Sequence, residues 1–320
     1  MKEKTNEEKE MIFKSLEEAT GKIPYGLTND YMFRAVLQKN EKVLRGLIGS
    51  LLHLSQEEIV SVVITDPIII GEVLSDKEFR LDINVQLNTN KKINLEMQVV
   101  NLGNWENRSL SYLCRSFDQL NKGQAYNEVK AAIHIGILDF TLFKDSPEFY
   151  AHYKMMNTKT HKIYSNNFQL NVLDLNHAEL ATEEDRQHNI DHWAKLFKST
   201  TWEEIKEMAL QDEYFKEASK TLFELSADEL VRKRCRDRED YYADMRGAQS
   251  IIDEQASKID EQKNKIEQQK SVLEQQKSKL EQQENKIEQQ ENKIDELTIQ
   301  LGKKDDEIER MRKELAAYRK

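Results

Sequence analysis

Hydrophobic and polar positions alternate through two neighbouring stretches, Phe79–Leu87 (FRLDINVQL) and Lys92–Val100 (KINLEMQVV), with a short polar loop between them. Period two marks a strand, because successive side chains point to opposite faces. The pair predicts a hairpin turning near Thr89 or Asn90. Ile83, Val85 and Leu87 on the first strand, and Leu95, Met97, Val99 and Val100 on the second, continue past the polar residues. Such an apolar face predicts that the hairpin belongs to a larger sheet. Glu96 and Gln98 share the other face, and the hairpin sets Asp82 across from them.

The same reading extends along the chain. Thr28-Asn29-Asp30 provides a capped start for a helix through Tyr31 to Leu37. A second helix is expected from Lys42 to Leu54, with Leu44, Leu47, Ile48, Leu51 and Leu52 on one side. Glu58–Thr65 is β-rich, Asp66-Pro67 breaks it, and Ile68–Ile70 resumes. Asn104–Leu120 reads as a helix with Trp105, Leu110, Leu113 and Phe117 apolar, and Arg108, Tyr112 and Arg115 as a polar stripe. Val129–Phe140 is a near-continuous apolar run, as expected of a strand buried on both faces. Phe168–Leu175 alternates as another strand, and Glu179–Arg246 reads as helical throughout. The expected fold class is α/β, a mixed sheet flanked by helices and followed by a helical region.

From Ile252 onward the pattern changes. Ile252, Ile259, Ile266, Leu273, Leu280, Ile287, Ile294, Leu301, Ile308 and Leu315 stand seven residues apart. A sustained heptad favours a left-handed coiled coil. With these residues at position a, position d holds Gln262, Gln269, Gln276, Gln283 and Gln290, and improves only at Leu297, Met311 and Tyr318. The seam is half polar. Residues 248–320 are therefore expected to form a weak coiled-coil tail that self-associates, with a lone charged helix as the alternative.

The formal net charge is −10, of which the tail from Ile251 contributes −2 (15 basic, 17 acidic residues) and the rest −8. This counts against a broad basic grip on nucleic acid. The run Arg232-Lys233-Arg234-Cys235-Arg236 reads as a solvated helix face, with DNA contact as its other reading. Two cysteines, a charged N-terminal lead at residues 1–24 with no signal-like apolar core, and no run long enough to span a bilayer lead to the expectation of a soluble, cytoplasmic protein without a membrane partner.

The hairpin carries the candidate chemistry. Two carboxylates converging at a strand end can hold a divalent metal, and a neighbouring polar side chain can position a water, which is the minimum for cutting a phosphodiester. Other candidates are weaker. His188 and His192 stand four apart, but no third ligand accompanies them, and they read as a surface pair. His134, in an apolar strand, reads as a satisfied core histidine. Nothing resembles a P-loop, a nucleophile elbow or a zinc finger.

Arg80-Leu81-Asp82-Ile83 with Asn94-Leu95-Glu96-Met97-Gln98 resembles the hairpin of the Rpn-type recombination-promoting nucleases, also described as PD-(D/E)XK family transposases. Asn29-Asp30-Tyr31-Met32-Phe33-Arg34 is similar to that family's first helix. Arg108 and Tyr112 fit its arginine-bearing helix, and Phe223 to Glu239 resembles its C-terminal element. The resemblance implies a restriction-endonuclease-like core at 25–178, a helical C-terminal part at 179–247, and a metal-dependent DNA endonuclease with DNA as its partner. It implies Asp82, Glu96, Gln98 and Asp30 as catalytic residues. Asp82, Glu96 and the Met97 carbonyl would be ligands of Mg²⁺ or another divalent cation such as Mn²⁺ or Ca²⁺. Asp30 has a second reading, as a helix cap. The chain departs from the superfamily pattern twice: Leu81 stands where the name-giving proline would be, and Gln98 replaces the lysine. A glutamine carries no charge and cannot act as a base near neutral pH. The alternative function is a catalytically silent nuclease fold that assembles partners through its tail.

Overall fold

The computed structural model describes residues 14–66, 83–88, 91–118, 120 and 122–318. Asp82, Phe79–Leu81 and Ile68–Ile70 lie outside the described residues, as do residues 1–13 of the charged lead. The chain divides into two compact units, Met1–Gln249 and Ser250–Lys320.

The first unit is an α/β structure around one six-stranded mixed sheet. Helices α1 (Asp30–Lys39) and α2 (Glu41–Leu52) precede the sheet. The Asn29 side chain caps α1 by accepting from the Met32 N–H, so Asp30 is the first helical residue and not the cap. Asn40 caps α2 in the same way, and His53 ends it with φ of 54°. The strands β1 (Val62–Ile64), β2 (Ile83–Leu87) and β3 (Lys91–Gln98) follow. Helix α3 (Trp105–Phe117) leads from β3 to β4 (Ala131–Leu138), and β5 (Tyr150–Lys154) and β6 (Phe168–Asp174) complete the sheet.

The spatial order is β1-β2-β3-β4-β6-β5. β3, β4 and β6 run parallel, while β1, β2 and β5 pair antiparallel at the two sides. Parallel central strands are buried on both faces, and this is why β4 reads as a near-continuous apolar run, broken only by His134. Edge strand β5 was not expected from the sequence. Its YAHYK pattern is short and polar, and only Tyr150 and Ala151 are buried.

Helices α4 (Glu183–Gln187), α5 (Ile190–Lys198), α6 (Trp202–Ala209) and α7 (Glu213–Ala227) follow the sheet. Helix α8 (Glu229–Tyr318) begins in this unit. The region expected to be helical is thus several helices, separated by caps at Thr182, Thr201 and Asp212. His188 and His192 do not share a helix. His188 closes α4, Asn189 has φ of 57°, and His192 lies in α5.

The main core lies against one face of the sheet. Ile83, Val85, Ile93, Leu95, Met97, Ile133, Ile135 and Ile137 meet Phe33, Leu44, Leu47, Trp193 and Phe197 in a single apolar cluster. On the opposite face a smaller cluster holds Trp105, Leu138 and Val172. Leu110, expected among the apolar positions of α3, is 47 % exposed and belongs to neither.

The second unit is helix throughout its described length. Every heptad Ile and Leu from Ile252 to Leu315 is exposed. No described helix is long and apolar enough to cross a membrane.

Candidate active site

Strand register decides which side chains meet. β2 and β3 pair Asn84 with Asn94 and Ile83 with Leu95. β3 and β4 pair Asn94 with His134 and Glu96 with Gly136. Period two then gathers Asn84, Asn94, Glu96, Gln98 and His134 on the face opposite the main core. This face is polar and yet buried: Asn94 is 1 %, Glu96 3 % and His134 0 % exposed.

Buried polar groups are costly unless hydrogen-bonded, and here they bond to one another. The Asn84 amide nitrogen donates to the Asp66 carboxylate at 2.9 Å, and the Asn84 backbone N–H donates to its other oxygen at 3.0 Å. The Asn94 amide nitrogen donates to the Asn84 side-chain oxygen at 3.0 Å. The Asn94 oxygen faces His134 Nδ1 at 2.6 Å. At the far end Arg34, from α1, pairs with Asp66 and donates to its backbone oxygen. The other imidazole nitrogen, His134 Nε2, lies 3.9 Å from Glu96 Oε2.

Glu96 is clamped from the helix side. Arg108 donates through Nε at 2.8 Å and Nη2 at 2.5 Å, both to Oε1. Arg108 and Tyr112 stand one turn apart on α3, and the guanidinium sits 5.5 Å from the Tyr112 ring centre. Tyr112 in turn lies parallel to the His134 ring at 5.8 Å, with Trp105 at 5.6 Å. Burial, reinforced by the Arg108 charge, pushes the His134 imidazole down to about 3, so it is neutral at physiological pH. Gly136 makes room for this cover: a Cβ there would fall 2.1 Å from Trp105 Cζ2.

Glu96 and Gln98 lie on the same face, as period two requires. Gln98 Nε2 donates to the Val100 carbonyl at 3.0 Å, which leaves the carboxamide oxygen as the end able to face a ligand. The Met97 side chain points into the main core, so its backbone is the only part that shares this site. Asp82 lies outside the described residues. Ile83, which follows it, pairs with Leu95, the residue before Glu96.

Asp30 is held elsewhere. Its Oδ1 accepts from Arg238 Nε at 3.0 Å, and its Oδ2 accepts from Arg238 Nη2 and from the Tyr242 hydroxyl. The cluster is buried and ties α1 to the first turns of α8. In this conformation both carboxylate oxygens are committed to the ion pair.

Among the described residues, no group of three or more His, Cys, Asp and Glu side chains is placed to hold a metal ion. Among the described residues of β2, β3 and β4, Glu96 is the one carboxylate on the polar face. A small hard cation takes one or two carboxylates and completes its shell with waters and phosphate oxygens. Glu96 through Oε2, together with Gln98, fits that modest demand.

Asn84, Asp66 and the full part played by His134 were not expected from the sequence. A signal was present: Asn84 and Asn94 occupy strand positions of the same parity as Glu96, where solvent-facing residues on a surface hairpin would be equally polar.

The first unit is thus an α/β fold whose β2–β3 hairpin carries Glu96, backed by the arginine-bearing helix α3. A family model described as PD-(D/E)XK nuclease family transposase matches residues 27–255. The match covers well over half of the chain, and the chain belongs to that family. No curated protein and no solved structure matches it.

Proposed function

We propose that the protein is a metal-dependent DNA endonuclease of the recombination-promoting, transposase-associated type, acting on phosphodiester bonds. The observation that carries this reading is the buried Glu96 carboxylate on β3, with one oxygen bound by Arg108 and the other turned toward His134. Asp82 is the proposed second carboxylate, and the Met97 carbonyl the proposed third ligand.

A divalent cation held there, Mg²⁺ foremost and Mn²⁺ or Ca²⁺ as alternatives, supplies charge for a phosphate oxygen and acidifies water. The chain's own residues do the rest. Glu96 and Asp82 hold the ion. Gln98 orients a water through its carboxamide oxygen. Arg108, 34 % exposed at its side chain, reaches solvent beside Glu96 and brings a positive charge to an incoming phosphate.

A second reading has an observation of its own. The Arg108–Glu96 ion pair satisfies part of that carboxylate without any metal, so in a catalytically silent protein the pair can serve the fold alone. Such a protein would assemble through the exposed heptad residues of the 250–320 unit.

Supercoiled plasmid incubated with Mg²⁺, Mn²⁺ or EDTA, alongside Glu96→Ala, separates the two. Cleavage that needs the cation and disappears in the variant supports the nuclease. Cation-independent cleavage, or full activity in Glu96→Ala, removes it; no cleavage under any condition favours the silent fold.

A further inference from the structure

The hydrogen bonds beneath the candidate site have a direction. An ionised carboxylate only accepts, so Asp66 obliges the Asn84 amide to present its NH₂ group. That turns the Asn84 oxygen toward Asn94, which must answer with its own NH₂. The Asn94 oxygen is then fixed against His134 Nδ1 at 2.6 Å, a contact that requires a proton on Nδ1. In a neutral imidazole the other nitrogen is then a bare lone pair. Among the described residues, His134 Nε2 has no hydrogen-bond partner, although the side chain is 0 % exposed. It lies 3.9 Å from Glu96 Oε2, and that oxygen also only accepts.

Two acceptors cannot bond each other. At this separation one water reaches both, with about 2.8 Å to each. A hard cation prefers oxygen and keeps its waters, so the partner of Nε2 is a water and not the ion itself.

We propose that His134 is a positioning residue of the Glu96 site: Asp66, Asn84 and Asn94 lock its proton on Nδ1 so that Nε2 holds a water against the Glu96 carboxylate. The opposite tautomer would put two acceptors in contact at Asn94. Relieving that would flip Asn94, then Asn84, and drive an oxygen against Asp66. The inference rests on the nuclease reading for the use made of this water, but the tautomer and the water stand independently of catalysis.

The test is nitrogen-detected NMR of the full chain labelled with ¹⁵N-histidine, His134 being assigned from the signals missing in His134→Gln. A protonated Nδ1, an unprotonated Nε2 and cross-relaxation from a long-lived water to the ring hydrogens are the expected results. Asp66→Asn, which can also donate, is expected to mix the tautomers. A protonated Nε2 in the unmodified chain, or no water contact, overturns the proposal, whatever the plasmid assay shows. With Mg²⁺ bound, as followed by calorimetry, the Nε2 signal is expected to move along the same isotherm; an unmoved Nε2 while Mg²⁺ binds overturns it. Absence of Mg²⁺ binding would count against the nuclease reading alone, and the tautomer and water contact would still decide this one. If cleavage is present, His134→Gln is expected to lower it about 10- to 100-fold, as loss of a residue supporting a metal ligand does.

Discussion

Strands β2, β3 and β4 present two faces built from one backbone. On one, Ile83, Val85, Ile93, Leu95, Met97, Ile133, Ile135 and Ile137 are 5 % exposed or less. On the other, Asn94, Glu96, Gln98 and His134 are 8 % exposed or less. Burial is the same; its terms are not. The apolar face gains from area removed from water and tolerates exchanges that keep volume. The polar face gains little from burial, and each of its atoms needs a named partner in a set direction. One face gives the unit its stability; the other spends part of that stability to hold a charge and a lone pair away from bulk water.

Neighbouring residues on opposite faces give the sharpest test. Leu95→Ala is expected to cost about 2–5 kcal/mol, the range for a large buried aliphatic. Glu96→Gln keeps an oxygen for Arg108 and is expected to leave the denaturation midpoint nearly unchanged while removing cleavage. Urea unfolding of both variants measures the contrast. If Glu96→Gln unfolds as readily as Leu95→Ala, the polar face is structural and the division fails.

Acid should find the polar face before the apolar one. The folded-state value of His134 is about 3, below the ordinary unfolded value of 6.5. Between those limits the unfolded chain binds the extra proton, so stability falls as pH falls. The expected loss from this group is about 1.4 kcal/mol per pH unit once below 6.5. From pH 6 to pH 4, the unmodified chain should therefore lose roughly 2–3 kcal/mol more than His134→Gln. Parallel losses in the two proteins would place the acid-sensitive group elsewhere.

Gly136 probes the cover over the polar face. An added methyl would meet the Trp105 ring at 2.1 Å, so the ring must move. Gly136→Ala is expected to cost about 1–3 kcal/mol, the range for overpacking. It should also change Trp105 fluorescence, because the ring is 2 % exposed and loses its seat. Unchanged emission and stability would mean that the cover is loose.

This asymmetry also explains what the sequence revealed. The apolar face was legible because period two repeats over several residues on several strands; helix α1, helix α2, β3, β4 and β6 all appear close to the expected positions. Glu96 and Gln98 were legible as members of one face for the same reason. The Asp66–Asn84–Asn94–His134 chain was not, because it joins residues on β2, β3, β4 and the segment before β2 through directed hydrogen bonds, and no periodicity encodes a bond direction. Arg238 and Tyr242 could not be paired with Asp30 from the sequence either, since some 210 residues separate the partners. Edge strand β5 was missed because one buried end, Tyr150-Ala151, is too short to make a pattern.

The smallest expected effect concerns the second unit, where neither kind of burial operates within one chain. Its heptad residues, Ile259 and Ile266 among them, are about half exposed and free to form a seam with a second copy. In a parallel in-register pair, each g residue faces the e residue of the partner's next heptad. With Ile and Leu at a, Lys279 meets Glu284 and Lys286 meets Glu291, which attract. Lys258 meets Lys263 and Lys265 meets Lys270, which repel. Within the chain, Lys258 already pairs with Glu254 and Lys263 with Asp260, so local partners soften the repulsion. Exposed pairs contribute about 0–1 kcal/mol each, and the two halves differ by a small, cumulative amount. Leu297, Met311 and Tyr318 at d favour the same distal half. Truncation after Gln249 keeps Tyr242 on Asp30 and is expected to leave the first unit folded but change the mass seen by light scattering. Within the full chain, Gln290→Cys should cross-link readily under mild oxidation and Gln262→Cys poorly. Equal cross-linking at both positions, or none at either, would remove this register and leave the tail a single charged helix.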